Sequence, residues 1–187
     1  MASILKRHLL VPALALFLAG TCGLVSAEER PQLLLIAGGM YGVETAPPNL
    51  SGGRIQGGQG GLEWMPAGIV GQRWGLDLDY EYLAMDRSPA TGADDNIDVS
   101  LRWLPATFGI TSVTVQAGIG YNMTPNAVSG HYLAFVGPGV RVVLAPRAAL
   151  DAGLKYRFTT PASDPVQDVE VTLGVSIPLD GPFTPSD

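Results

Sequence analysis

The chain is poor in several things that most soluble domains have. Its single cysteine is Cys22, so nothing after position 22 can form a disulfide or act as a thiolate. Charge is scarce, at 15% of 187 residues, against roughly 25–35% on an ordinary soluble surface. Only two residues are lysine, Lys6 and Lys155, and the formal net charge is −6, a poor basis for nucleic-acid binding. After the first 27 residues no run of 18 apolar residues occurs, which excludes a helical membrane span. Yet 47% of the chain is hydrophobic, too much for a disordered segment. What remains is an all-β protein whose apolar residues are spread out by alternation.

Residues 1–27 read as a secretory signal peptide. Lys6, Arg7 and His8 form a basic start, residues 9–24 an apolar stretch, and Val25-Ser26-Ala27 offers small residues for cleavage near Ala27. Thr21 before Cys22 does not suit a lipid-anchor signal. The segment 28–179 then reads as one domain, with 180–187 as a short C-terminal tail. Past residue 27 lie nine of the 11 basic residues and all 17 acids, for a net charge of −8.

The 28–179 segment repeats at about forty residues. Trp64-Met65-Pro66-Ala67, Trp103-Leu104-Pro105-Ala106 and Leu144-Ala145-Pro146-Arg147 share an apolar–Pro pattern; Trp64 and Trp103 are 39 residues apart, Pro105 and Pro146 41. Each period holds two strands of about ten residues, so four periods predict four hairpins, or eight strands. Trp74-Leu76-Leu78-Tyr80-Tyr82 alternates with Gly75-Asp77-Asp79-Glu81, and Ile97-Val99-Leu101-Trp103 with Asp98-Ser100-Arg102. Three further strands follow the same rule: one from Val113 to Asn122, one from Leu150 to Phe158, and one from Asp168 to Leu179. Alternation over about ten residues suits a strand that crosses a bilayer at a tilt. Segments 33–44, 56–65 and 131–144 complete the eight; Gly137-Pro138-Gly139 in the last predicts a bulge or kink, because proline cannot donate to the ladder. Short turns are expected at Pro66, Pro105 and Pro146, and longer loops at 45–55, 87–95, 123–130 and 160–166.

The polar faces are sparse and rich in glycine. Their charges, Asp77, Asp79, Glu81, Asp98, Asp168 and Glu170 with Arg102, Arg141, Lys155 and Arg157, suit a narrow lumen in which buried charges pair. Trp64, Trp74 and Trp103 fall by the short turns, and Tyr82, Tyr121, Tyr156 and Phe158 toward the longer loops, as two interfacial girdles would. This predicts an eight-stranded antiparallel up-and-down transmembrane β-barrel, apolar outside and charged inside. The inverse arrangement, a soluble periplasmic lipocalin-like barrel holding an apolar ligand, is the alternative.

In its strand pattern and its last strand the chain resembles the small eight-stranded outer-membrane barrels, the OmpA transmembrane-domain and OmpX-like group. Thr172-Leu173-Gly174-Val175-Ser176-Ile177-Pro178-Leu179 matches the terminal pattern of such proteins, although they usually finish on an aromatic residue. The resemblance implies the outer membrane of a Gram-negative-type bacterium, contact with its lipid, and reading of the last strand by the barrel-assembly machinery. A monomer with a plugged lumen and a structural or surface-interaction role is expected, with no cofactor.

An outer-membrane lipid A deacylase is similar in size and design, and implies a His-x-Ser pair on a late strand. Here that strand reads Lys155-Tyr156-Arg157, and the nearest substitute, Ser129-Gly130-His131, lies in a predicted loop. No catalytic residue is therefore assigned. Asp94-Asp95-Asn96 with Asp98 offers oxygen ligands without the calcium-loop spacing, and no metal ligand is assigned. Gly57-Gly58-Gln59-Gly60-Gly61 lacks the Lys-Ser/Thr of a phosphate loop and is read as a flexible loop entering a strand.

Overall fold

The computed structural model describes residues 31–45, 53–67, 73–86, 91–123, 132–160 and 167–183. The predicted signal peptide and the pair Ser129 and His131 lie outside these residues. Eight strands follow one another: β1 (Gln32–Thr45), β2 (Arg54–Met65), β3 (Trp74–Asp86), β4 (Thr91–Phe108), β5 (Thr111–Asn122), β6 (Tyr132–Ala145), β7 (Ala148–Thr160) and β8 (Gln167–Pro178). Each pairs antiparallel with the next, and β8 pairs back to β1, closing the barrel. All eight expected strands are present, in the expected order.

Register fixes the barrel's shape. Paired residues lead from Leu34 through Glu63, Asp77, Ser100, Gly118, Phe135, Arg157 and Asp168, and return to β1 at Glu44. The circuit thus climbs ten residues along β1. With eight strands and ordinary strand spacings, that stagger tilts the strands by roughly 40°. The outward residues of β8 and its extension, Val169 to Leu179, then rise roughly 25 Å along the axis, the height of the apolar band of outer-membrane barrels.

Three local expectations need correction. The turn expected at Pro105 is displaced: β4 runs on to Phe108, and the register shifts between Trp103 and Ala106. The extra residue of this bulge absorbs a proline that has no N–H for the ladder. The chain reverses at Gly109-Ile110 instead, with Gly109 at φ +61°, a conformation that two-residue hairpin turns require and glycine accepts. The bulge expected at Gly137-Pro138-Gly139 is absent, since the β5–β6 and β6–β7 registers are the same on both sides of it; the irregularity falls between Val143 and Ala145, beside the Pro146 turn. Residues 91–95, expected in a loop, begin β4; residues 57–61 lie within β2, in line with the strand expected at 56–65.

Inside and outside are sharply divided. Leu78, Val171 and Leu173 are each more than half exposed, whereas Glu63, Asp77, Glu81 and Arg157 are at most 1% exposed. Among the described residues, outward positions between the two aromatic belts carry no charge. At the short-turn end Trp74 stacks on Trp103, centroids 5.6 Å apart. At the long-loop end Tyr121 meets Tyr132 edge-on at 5.5 Å, and Tyr156 meets Phe158 at 4.5 Å. Asp95, across from Tyr82, accepts a hydrogen bond from Tyr80 Oη at 2.5 Å. A charge at the lipid midplane costs about 2–4 kcal/mol, so an uncharged wall between two belts is the surface a bilayer selects. The soluble alternative, polar outside and apolar within, is the reverse of what is observed.

Candidate functional site

The inward residues of the eight strands build a bore filled by charge. Alternation sends Asp77, Asp79 and Glu81 inward from β3, Asp98 and Arg102 from β4, Arg141 from β6, Asp151, Lys155 and Arg157 from β7, and Glu170 from β8. All but Asp151 are buried, and Asp151 is partly so. Glycine makes the room. A Cβ at Gly61 would collide with the Asp79 carboxylate, and one at Gly120 with that of Asp98. Inward glycines on neighbouring strands thus make room for the carboxylates of the lumen.

The charges sort into two tiers. Near the short turns, Arg141 Nη2 donates to Glu63 Oε2 at 2.5 Å and its Nε to Asp151 Oδ1 at 2.8 Å. Arg102 Nε donates to Asp77 Oδ2 at 3.1 Å and lies 3.6 Å from Glu63. Gln116 Nε2 adds donors to Asp77 at 2.9 Å and to Ser100 at 2.7 Å, and Ser176 Oγ donates to Asp151. Nearer the long loops, Lys155 Nζ donates to Glu81 and, at 2.7 Å, to Asp98 Oδ2. It also lies 3.7 Å from the centre of the Phe135 ring, a cation–π contact. Arg157 Nη2 donates to Glu81 Oε2 at 2.5 Å and to Glu170 Oε2 at 3.2 Å.

Some of these bonds join neighbouring strands, as Arg102 with Asp77, Arg141 with Asp151 and Arg157 with Glu170 do, and others cross the bore. Arg141 on β6 meets Glu63 on β2, and Arg157 on β7 meets Glu81 on β3, each four strands away. An unpaired charge in such an interior costs several kcal/mol, so each arginine holds opposite walls at a fixed distance. Between the tiers is a cavity of about 30 Å³, lined in part by Asp79, Thr114, Gln116 and Thr172, room for a water molecule or two. Apolar clusters stand beyond each tier: Leu34, Met65 and Leu104 at the short-turn end, and Met40, Ile55 and Leu83 toward the long loops.

Arg102, Arg141, Lys155 and Arg157 all pair inside the lumen, with Asp77, Glu81, Asp98 and Glu170 among their partners. Asp79 departs from the expected pairing. It faces the cavity, and its Oδ1 has no hydrogen-bond partner among the described residues. Glu63 and Asp151 are partners that the sequence did not nominate. Alternation placed both on the polar face; Asp151 lies directly opposite Arg141 in the β6–β7 ladder, whereas Glu63 on β2 meets Arg141 on β6 only across the closed barrel.

The cation-site residues do not converge. Asp94, Asn96 and Asp98 point inward from β4 while Asp95 points outward to Tyr80. Among the described residues no group of three His, Cys, Asp or Glu could hold a metal ion. On the strand where the deacylase pattern would fall, Lys155 and Arg157 are committed to lumen ion pairs, and Tyr156 Oη donates to Gln167 Oε1 at 2.6 Å on the outside.

No protein-family model matches the sequence, and no curated protein matches it. Solved structures do match. Neisserial surface protein A superposes with a TM-score of 0.62 at 16% identity, over 78% of this chain and 96% of that one. Ail, the attachment invasion locus protein of Yersinia pestis, gives a TM-score of 0.50 at 12% identity, over 80% and 99%. At such identities the likeness is one of fold, and it spans nearly the whole of both neighbours. The chain has the fold of the small eight-stranded outer-membrane β-barrels.

Proposed function

We propose that this protein is an integral outer-membrane barrel with a closed lumen, serving a structural or surface-interaction role rather than solute transport or catalysis. The observation that carries this reading is the filled bore: four cations paired inside it with six carboxylates, some of the pairs spanning it from wall to wall, with an apolar cluster beyond each tier. Eight-stranded barrels have interiors just wide enough for side chains, and here those side chains are bonded to one another.

The uncharged outer wall and its aromatic belts support residence in lipid. The fold shared with two bacterial surface proteins supports the outer membrane, reached after cleavage near Ala27. The terminal pattern of β8 supports recognition by the barrel-assembly machinery. The protein acts as a monomer in this reading, with its partners met at the long loops. Membrane fractionation followed by a heat-modifiability gel tests the proposal. The protein is expected in the outer-membrane fraction, extracted only by detergent, with a folded band that shifts on boiling. Recovery from the periplasm without detergent would end the membrane reading.

A further inference from the structure

The chain does not end with its last strand. Leu179 N–H donates to the Leu33 carbonyl at 2.8 Å, carrying the β8–β1 seam past Pro178. The Leu33 N–H in turn donates to Asp180 Oδ2 at 3.0 Å. The tail then turns at Gly181, whose φ of +153° is one that side chains rarely adopt. Gln32 Nε2 donates to the Pro182 carbonyl at 2.9 Å, and Phe183 N–H to the Pro146 carbonyl in the β6–β7 turn at 2.7 Å. The Phe183 backbone is therefore held on the β6–β7 side. Its side chain packs on Leu34 of β1, Met65 of β2 and Leu104 of β4, on the other side. The segment spans the mouth.

We propose that residues 179–183 are a cap that closes the short-turn mouth of the barrel and latches the β1–β8 seam. An apolar trio at an open mouth would face water; Phe183 covers it, and Leu34, Met65 and Leu104 are 0%, 5% and 8% exposed. The hydrogen bonds to Leu33 and Gln32 secure the one junction of the barrel that no hairpin turn joins. The terminal aromatic that the last strand lacks is thereby supplied from beyond it, facing the bore instead of the lipid. The cap rests on the closed-lumen reading, for which it provides the seal at the short-turn end.

The absence of cysteine after Cys22 makes the test direct. In a Cys22→Ser background, Met65→Cys places one thiol beneath Phe183. With the barrel folded in detergent micelles, a charged maleimide is expected to label this thiol slowly in the full chain. In Phe183→Ala, and in a chain ending at Leu179, labelling is expected to be roughly tenfold or more faster, because local opening controls access. The heat-modifiability gel verifies that each variant is folded, and Phe183→Ala decides the matter if the shortened chain does not fold. Equal rates in the full chain and folded Phe183→Ala, or fast labelling in the full chain, would overturn the cap. Conductance of the unmodified protein reports separately: a pore would refute the closed lumen and with it the sealing of the mouth, even if slow labelling of Met65→Cys shows Phe183 packed over the trio.

Discussion

The two charge tiers of the lumen solve the same problem with different means. The tier near the short turns, the lower one, uses two arginines, and neutral side chains finish the bonding: Gln116 and Ser100 serve Asp77, and Ser176 serves Asp151. The upper tier uses one arginine and one lysine, both converging on Glu81, with Phe135 beneath the ammonium. There the bonding is less complete. Asp98 Oδ1, Glu170 Oε1 and Arg157 Nε are buried without hydrogen-bond partners among the described residues, whereas Asp77 Oδ1 is the lower tier's counterpart. A planar guanidinium that bonds through several nitrogens fixes the distance between walls; an ammonium is a point charge that tolerates adjustment. In the proposed closed lumen the lower tier is therefore expected to act as the brace, and the upper tier as a softer filling.

This contrast can be broken at specific residues. Arg141→Ala should have the largest effect, since Glu63 and Asp151 both lose their short bonds to it and keep only the longer contacts to Arg102, at 3.6 and 3.7 Å; a loss of about 3–5 kcal/mol is expected in urea unfolding from lipid vesicles. A loss below about 1 kcal/mol would remove the brace from the account. Leu173→Arg tests the other side of the wall, where a midplane charge should cost about 2–4 kcal/mol; a neutral result would mean this face does not meet lipid. Lys155→Met should cost less than Arg141→Ala, about 1–3 kcal/mol, because only Asp98 loses its cation, Glu81 keeps Arg157 and the methionine still covers Phe135. A larger loss than for Arg141→Ala would reverse the ranking of the tiers. The smallest effect concerns their independence. Combining Arg141→Met with Arg157→Met should give additive losses to within about 0.3–0.5 kcal/mol, and a larger coupling would make the two tiers one network.

Most of the fold was legible because alternation is a local signal. Each of Asp77, Asp79 and Glu81 announces its face by its neighbours Leu78 and Tyr80. The partners across the bore were not legible, because they depend on the ten-residue stagger, a property of all eight strands together. Glu63 shows the difference: its inward position follows from Leu62 and Trp64, but nothing nearby points to Arg141. Proline and glycine misled for a related reason. Pro105 carries the same turn signal as Pro146, yet a bulge accommodates it within β4. Gly57 and Gly61 look like loop residues but are the space that facing side chains occupy, and that need appears only once β2 and β3 are paired. Phe183 carried no signal either, since a polar tail with one aromatic does not reveal that it folds back across the mouth.

In the proposed closed lumen, charge bonded across the bore leaves no path for ions. Conductance of the purified, folded protein across a planar lipid bilayer measures this directly. The account predicts insertion without discrete current steps; stable, reproducible single-channel openings of the unmodified barrel would contradict it.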